Sequence, residues 1–319
     1  MTEQMAYELD PEITTVLAAV LEQGADLPVV ERGDWKTLRE RGNVSQAYLA
    51  SLASSSPDVQ LTSFSTMTQD GTPIELRWYT RKNATPGSAV VYVHGGGMIL
   101  GNLDLYDAVV SAYVTATGVP FLSVNYRLAP EVHDTILAED TFAGVTWLIA
   151  HASKLGVDPN RIAIMGDSGG GGVAAGAAIV ARERQLALAR QILIYPMLDD
   201  RNIVPNVLLT PFATWTYDQN YTAWNAVLDG KQGGDTVSPI AAPARLTDFG
   251  GLAPAYIEVG DLDIFRDEDI AYAQQLAKAG VPVELHVHPG APHGFERFAP
   301  NSKLAKRAMN DRMRVIQSI

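Results

Sequence analysis

The string RIAIMGDSGGGGVAAG, Arg161 to Gly176, holds a serine between glycines at the spacing Gly166-x-Ser168-x-Gly170. A serine hydroxyl is a weak nucleophile until a neighbouring base takes its proton, so the string raises acyl transfer and asks for an imidazole and an acid elsewhere. GDSGG also surrounds the nucleophile of trypsin-like proteases, and the flanks have to decide between the two. An apolar strand-type run precedes Gly166, and a helix-forming run, GVAAGAAIVARE, follows Ser168. A serine on such a turn is a nucleophile elbow. Small flanking residues let strand and helix pass closely, and the N–H of Gly169 falls at a helix start, where negative charge is favoured. A trypsin-like domain is all β and places its histidine and aspartate before its serine. Here only His94, His133 and His151 precede Ser168, in α/β surroundings. No Lys-Ser/Thr ending follows the glycines, so a phosphate-binding loop is set aside as well.

A second glycine run, His94-Gly95-Gly96-Gly97, closes the apolar segment VVYV. Consecutive glycines after a strand bring backbone N–H groups close to a ligand, as a tetrahedral oxyanion requires. With an elbow of this type the acid and then the histidine follow the serine. His286 and His288 alternate within VELHVH and share one strand face, which suits a structural role. His293 lies beyond that strand, in PGAPHGFERF, where it can reach over the sheet edge, and it is the expected base. The acid should follow AYIEV, in GDLDIFRDED. Asp267, Glu268 and Asp269 fall at a helix start and are expected to cap its N–H groups. Asp261 and Asp263 remain as loop carboxylates, and spacing does not separate them.

These residues need a scaffold. From Ala89 onward, short apolar runs alternate with helical ones: AVVYV, PFLSVNY, RIAIM, QILIYP, AYIEV and VPVELHVH. Strands apolar on both faces and separated by helices predict a mostly parallel sheet covered on both sides. Upstream, VQLTSFSTMT and PIELRWYT flank the turn QDGT and predict an antiparallel hairpin at the sheet edge. DPEITTVLAAVLEQ, with Asp10 as cap and Pro11 just inside, and DWKTLRERGNVSQAYLASL predict two N-terminal helices. Between about Leu198 and Arg245 the alternation breaks into an aromatic-rich stretch, NVLLTPFATWTYDQNYTAWNAVLDG, helical in spacing. The division read from this is residues 1–55 as a helical cap segment, 56–198 with 246–319 as the catalytic domain, and 199–245 as a cap insertion. Phe212, Trp215, Tyr217, Tyr221 and Trp224 are candidates to line an apolar pocket, although aromatics at helical spacing often only pack.

Composition narrows the class. The 319 residues are 47% hydrophobic and 19% charged, enough for a large core, and the formal net charge is −12. That sign argues against nucleic-acid or anionic-membrane partners, since phosphate binding needs a basic face. There is no cysteine, hence no disulfide, thiolate nucleophile or Cys-ligated zinc. MTEQMAYELDPEI has neither the basic nor the apolar region of a secretory signal, and no apolar run is long enough to span a bilayer. A cytoplasmic protein without metal or cofactor is expected.

Five motifs in order, HGGG, YRLAPE from Tyr126 to Glu131, GDSGGG, GDLDIFRDE and HGF, resemble the hormone-sensitive lipase family of carboxylesterases, the bacterial family IV esterases. The likeness runs from about Tyr79 to the C-terminus. It implies an α/β-hydrolase fold with a helical cap, and hydrolysis of short-to-medium acyl esters through an acyl-enzyme. It implies Ser168 as nucleophile, His293 as base and, by the family's Asp-Pro-Leu-x-Asp motif, Asp263 as acid, with Gly96, Gly97 and Gly169 as oxyanion donors. A homodimer is also compatible with the resemblance. Departures are visible: Gly169 stands where the family usually has Ala, which gives that donor more backbone freedom. Met98 replaces an aromatic and is a sixth candidate to line the pocket, and Tyr106 replaces a His. An amidase or acyltransferase on the same residues is the alternative chemistry. A ligand receptor of the gibberellin type lacks the histidine that this chain keeps at His293.

Overall fold

A computed structural model describes residues 7–23, 30–51, 56–84 and 87–319. Its centre is an eight-stranded sheet in the order β1-β2-β4-β3-β5-β6-β7-β8. The strands are β1 (Val59–Met67), β2 (Pro73–Arg81), β3 (Ala89–Val93), β4 (Phe121–Val124), β5 (Ile162–Asp167), β6 (Arg190–Ile194), β7 (Ala255–Gly260) and β8 (Val283–His288). The β1–β2 hairpin is antiparallel, in register from Val59 opposite Arg81 to Met67 opposite Pro73, and β2 runs antiparallel to β4. All pairings from β4 through β8 are parallel. Gly71, at φ +82°, turns the hairpin, and Asp70 Oδ1 accepts the Thr72 N–H at 3.0 Å.

The helices are α1 (Pro11–Gln23), α2 (Trp35–Ser51), α3 (Leu103–Thr117), α4 (Ile136–Leu155), α5 (Gly169–Glu183), α6 (Tyr217–Val227), α7 (Arg266–Lys278), α8 (Phe295–Phe298) and α9 (Lys303–Gln317). As expected, Asp10 caps α1, accepting from the N–H groups of Glu12 and Ile13 at 2.8 and 3.3 Å. The central strands are buried on both sides. Along β3, Ala89, Val91 and Val93 join a core that includes residues of α4, α5 and α7, while Val90 and Tyr92 join one with residues of α3 and α9. Each such valine contributes roughly 2 kcal/mol by leaving water, and along β3 neither face is open to solvent. Among the described residues no helix is long and apolar enough to cross a membrane.

The segment between β6 and β7 is less helical than its spacing predicts. Only α6 is an α-helix, with single 3-10 turns at Thr210–Phe212 and Pro243–Arg245. Pro211 lacks an N–H and disfavours helix before it. Thr216 then starts α6 as a capping box: its Oγ1 accepts the Gln219 N–H at 3.2 Å, and Gln219 Oε1 accepts the Thr216 N–H at 2.8 Å. The N-terminal segment packs on this helix: the Gly33 N–H donates to Thr222 Oγ1 at 2.8 Å, and Arg32 pairs with Asp218 at 2.8 Å.

Candidate active site

Ser168 sits between β5 and α5 with φ 55° and ψ −123°, a conformation a non-glycine residue holds only under constraint. The constraint is visible. Its N–H donates to the Ile194 carbonyl at 2.9 Å, and its carbonyl accepts from the N–H groups of Met197 and Gly172 at 2.9 and 3.1 Å. The glycines are required by contact: a Cβ on Gly166 would lie 2.2 Å from the Gly170 carbonyl oxygen, and one on Gly172 would lie 2.1 Å from that of Met197. The glycine run therefore serves close packing of α5, not a phosphate.

His293 Nε2 lies 2.8 Å from Ser168 Oγ, and its Nδ1 lies 2.6 Å from Asp263 Oδ2. With Asp263 accepting from Nδ1–H, Nε2 is left to accept the serine proton. The other carboxylate oxygen, Oδ1, accepts the Phe265 N–H at 3.0 Å, which fixes the acid's orientation. Asp263 is fully buried. Of the two loop carboxylates it is Asp263 that meets His293, whereas Asp261 Oδ1 accepts the Gly290 N–H at 2.7 Å and braces the loop carrying His293. Rings pack edge-on against the imidazole: Tyr195 at 4.7 Å and Phe265 at 5.1 Å between centroids. Thr214 Oγ1 donates to the His293 carbonyl at 2.6 Å, so the segment between β6 and β7 also holds the histidine.

Behind Tyr195 lies a buried charge network. The tyrosine hydroxyl donates to Glu296 Oε1 at 2.5 Å, and Arg312 of α9 donates to Glu296 Oε1 at 2.9 Å and to Glu258 Oε1 at 2.7 Å. His288 approaches Glu258 at 3.8 Å, while His286 faces Glu284 at 2.8 Å. Both stand away from Ser168, in keeping with structural roles.

The expected capping at the start of α7 is corrected. Glu268 reaches out of its helix to the N–H groups of Leu198 and Asp199 at 2.7 and 3.1 Å. Asp269 is fully buried, and neither carboxylate oxygen has a hydrogen-bond partner among the described residues. Burial, then the neighbouring Glu268 and Asp263, push its carboxyl well above the usual range. Helix phase explains the miss: α7 begins one residue before these acids, so Glu268 and Asp269 turn into the core, while Asp267 stays exposed and pairs with Arg266 at 2.8 Å.

Across from the elbow, Gly96 and Gly97 have φ +113° and +57°. A Cβ on Gly169 would lie 2.6 Å from the Met98 nitrogen and 2.8 Å from the Gly97 nitrogen. No acceptor among the described residues takes the N–H of Gly96, Gly97 or Gly169. Gly96 and Gly97 line the same cavity as Ser168, and Gly169 follows it, so these three N–H groups border the serine without an acceptor. Gly169 is not loosened by its lack of a side chain; it is pressed against the opposite loop. That loop is clamped from α2, where Arg39 donates to the carbonyls of Ile99 and Ala129 at 2.5 and 2.6 Å, and Asn43 Oδ1 accepts the Gly101 N–H at 3.0 Å. His94 is buried and stacked on Tyr126 at 4.6 Å; burial pulls its pKa down to about 4, so it is neutral. Asp167 accepts the hydroxyls of Tyr92 at 2.5 Å and Tyr106 at 3.3 Å.

A cavity of about 430 Å³ opens onto Ser168, Gly96, Gly97 and His293. Of the pocket candidates, Phe212 and Trp215 line it. Trp215 covers the oxyanion loop so closely that a Cβ on Gly97 would touch its ring at 2.7 Å. The other four candidates do not line it. Met98 is buried beneath α5, Tyr217 and Trp224 are core residues, and Tyr221 turns to Arg32, whose guanidinium lies 3.9 Å from its ring centre. Helical spacing brought these aromatics forward, but only one side of α6 and the loop before it meet the cavity. Sequence reasoning missed Leu17, Leu38 and Arg41 from the N-terminal helices, and Arg297 from α8. Those positions converge only in three dimensions; Arg297 alone carried a signal, beside His293 in HGFERF.

Residues 90–297 match a family described as alpha/beta hydrolase fold. The chain is 33% identical to ethyl acetate hydrolase of Pseudomonas putida over 82% of each sequence. It is 36% identical to a carboxylesterase of Mycobacterium tuberculosis over 71% of this chain and 72% of that one. Among solved structures, a bacterial heroin esterase superposes with TM-score 0.87 at 33% identity, covering 97% of both chains. A hyperthermophilic esterase from the archaeon Pyrobaculum calidifontis does so with TM-score 0.86 at 30% identity, covering 98% of both.

Proposed function

We propose, for a chain that belongs to the hormone-sensitive lipase-like carboxylesterases of the α/β-hydrolase superfamily, that Ser168, His293 and Asp263 carry out its reaction through an acyl-enzyme. The chain is a carboxylic ester hydrolase. The observation that carries the assignment is the unbroken run of contacts from Asp263 Oδ2 through both nitrogens of His293 to Ser168 Oγ, at 2.6 and 2.8 Å.

In this reading His293 takes the hydroxyl proton as Oγ attacks the ester carbonyl, then delivers it to the leaving alcohol. Asp263 holds the imidazole in the tautomer that leaves Nε2 free and stabilises the imidazolium that forms. Gly96, Gly97 and Gly169 donate to the oxyanion, each such donor supplying about 3 kcal/mol of transition-state stabilisation. Water activated by the same histidine then releases the acid.

The substrates proposed are small esters of short-to-medium acyl chains, supported by the size of the cavity and by the ring of Trp215 closing it over Gly97. We also assign residues 1–55 and 199–245 as a cap over the hydrolase domain of 56–198 and 246–319. The contacts of Arg32 and Gly33 with α6 support this, within the described part of the first segment. The half-exposed Leu285 and Val287 on the β8 edge would suit a homodimer, which size-exclusion chromatography reads directly. A cytoplasmic location and the lack of nucleic-acid partners stay with this reading. A fluorophosphonate should label the protein at Ser168 and abolish turnover of short p-nitrophenyl esters. No labelling together with no turnover would overturn the assignment.

A further inference from the structure

We propose that the ester this site favours carries a carboxylate a few carbons from its carbonyl, and that Arg297 selects it. The inference rests on the esterase reading above and names its substrate class.

Arg297 lies on α8, in the same short segment as His293, and its side chain lines the cavity that holds Ser168. Its guanidinium carbon is 4.4 Å from the centre of the Tyr106 ring. The Tyr106 hydroxyl in turn donates to Asp167, the residue before Ser168. The cation is therefore held near the reacting serine by a ring contact. The Tyr106 hydroxyl also takes a hydrogen bond from the guanidinium, and a guanidinium carries five N–H donors in one plane, so others are left to meet an acceptor.

Arg297 has no fixed counter-ion, in contrast to Arg312, which pairs with Glu258 and Glu296, Arg245 with Asp200, and Arg77 with Asp107. Among the described residues no carboxylate comes within ion-pair distance, 4.0 Å, of Arg297. Asp167 shares the cavity wall, but its two oxygens are taken by the hydroxyls of Tyr92 and Tyr106. Burial opposes the charge on Arg297, yet Tyr106 and Asp167 outweigh it and the guanidinium stays protonated. A permanent cation with planar donors, set in a cavity that also presents Leu38, Phe212 and Trp215, with Arg41 of α2 as a second cation in its lining, matches a carboxylate on a short apolar stem.

The test compares ethyl esters of equal acyl-chain length: monoethyl glutarate, whose acyl chain ends in a carboxylate, against ethyl pentanoate. A second arm places the charge on the alcohol, with the butyrate ester of 3-hydroxypropanoate against propyl butyrate. We expect kcat/KM to favour the charged ester by tenfold or more in one arm, which also tells which side of the ester meets Arg297. In Arg297→Met that ratio should fall to near one, chiefly through KM, and Arg297→Lys should restore part of it. An arginine present only to balance Asp167 would leave the ratio unmoved, and that result would overturn the proposal. Inhibition of the unmodified enzyme by pentanoate against the neutral pentanamide needs no variant; equal potency would overturn the proposal equally. Turnover of both neutral esters without a charge preference defeats this inference alone. No turnover of any of the four esters defeats the esterase assignment beneath it.

Discussion

Two walls face each other across Ser168. One is the elbow, where β5, α5 and the loop after β3 meet through glycines packed so closely that a single added carbon would collide with backbone. The other comes from α1, α2 and the segment between β6 and β7, with short turns, one regular helix and larger side chains such as Leu17, Leu38, Phe212 and Trp215. The first wall leaves almost no room for an added atom and carries Ser168. The second meets the cavity through its side chains. Reaction chemistry and substrate choice are thus carried by parts of the molecule with different tolerance to change.

That contrast can be broken at several points. Replacing the nucleophile, Ser168→Ala, should lower kcat by about 100,000-fold in a steady-state ester assay while the protein keeps its melting temperature within a few degrees. Retention of most activity would mean that the elbow is not the reacting wall. Gly169→Ala is the sharper probe, because its methyl would have to displace Gly97 or Met98. We expect kcat to fall about 100-fold with KM little changed, as for loss of an oxyanion donor; unaltered kcat would show that the loop gives way freely. On the opposite wall, Trp215→Ala should change the preference among acetate, butyrate and hexanoate esters by about tenfold. An unchanged chain-length profile would remove Trp215 from the substrate pocket.

The smallest effect lies behind both walls, at Asp269. Its carboxyl titrates above the ordinary range in the folded protein, so the fold binds that proton more tightly than the unfolded chain does. The stabilising effect of this group is complete below the unfolded value and is lost as pH rises toward the folded one, by up to about 1.4 kcal/mol per pH unit. Asp269→Asn should therefore be closer to wild type in urea unfolding at pH 4 and increasingly the more stable protein at pH 6 and 8. Parallel stability profiles would contradict the assignment.

What could be read from the sequence follows the same division. The strands, the elbow, the glycine loop and His293 are visible because each depends on a local rule: apolar alternation, a turn that needs small residues, a histidine past the last strand. Asp263 needed either the family resemblance or the coordinates, since Asp261 is as well spaced. The pocket wall was poorly legible. Trp215 and Trp224 look alike along the chain, yet one meets the cavity and the other is fully buried in the core. Leu17, Leu38 and Arg297 come together only through contacts remote in sequence, and Asp269 shows that a rule for exposed helix starts fails when the helix starts in the core.

Arg39 joins the two walls. From α2 it holds the carbonyls of Ile99 and Ala129, just beyond the oxyanion glycines. Docking of α2 and the placement of those donors are therefore linked equilibria: whatever loosens one must weaken the other by the same free energy. A partial detachment of the N-terminal helices would be felt first as slower chemistry, before any loss of the sheet, and added ester would in turn draw the helices back into place.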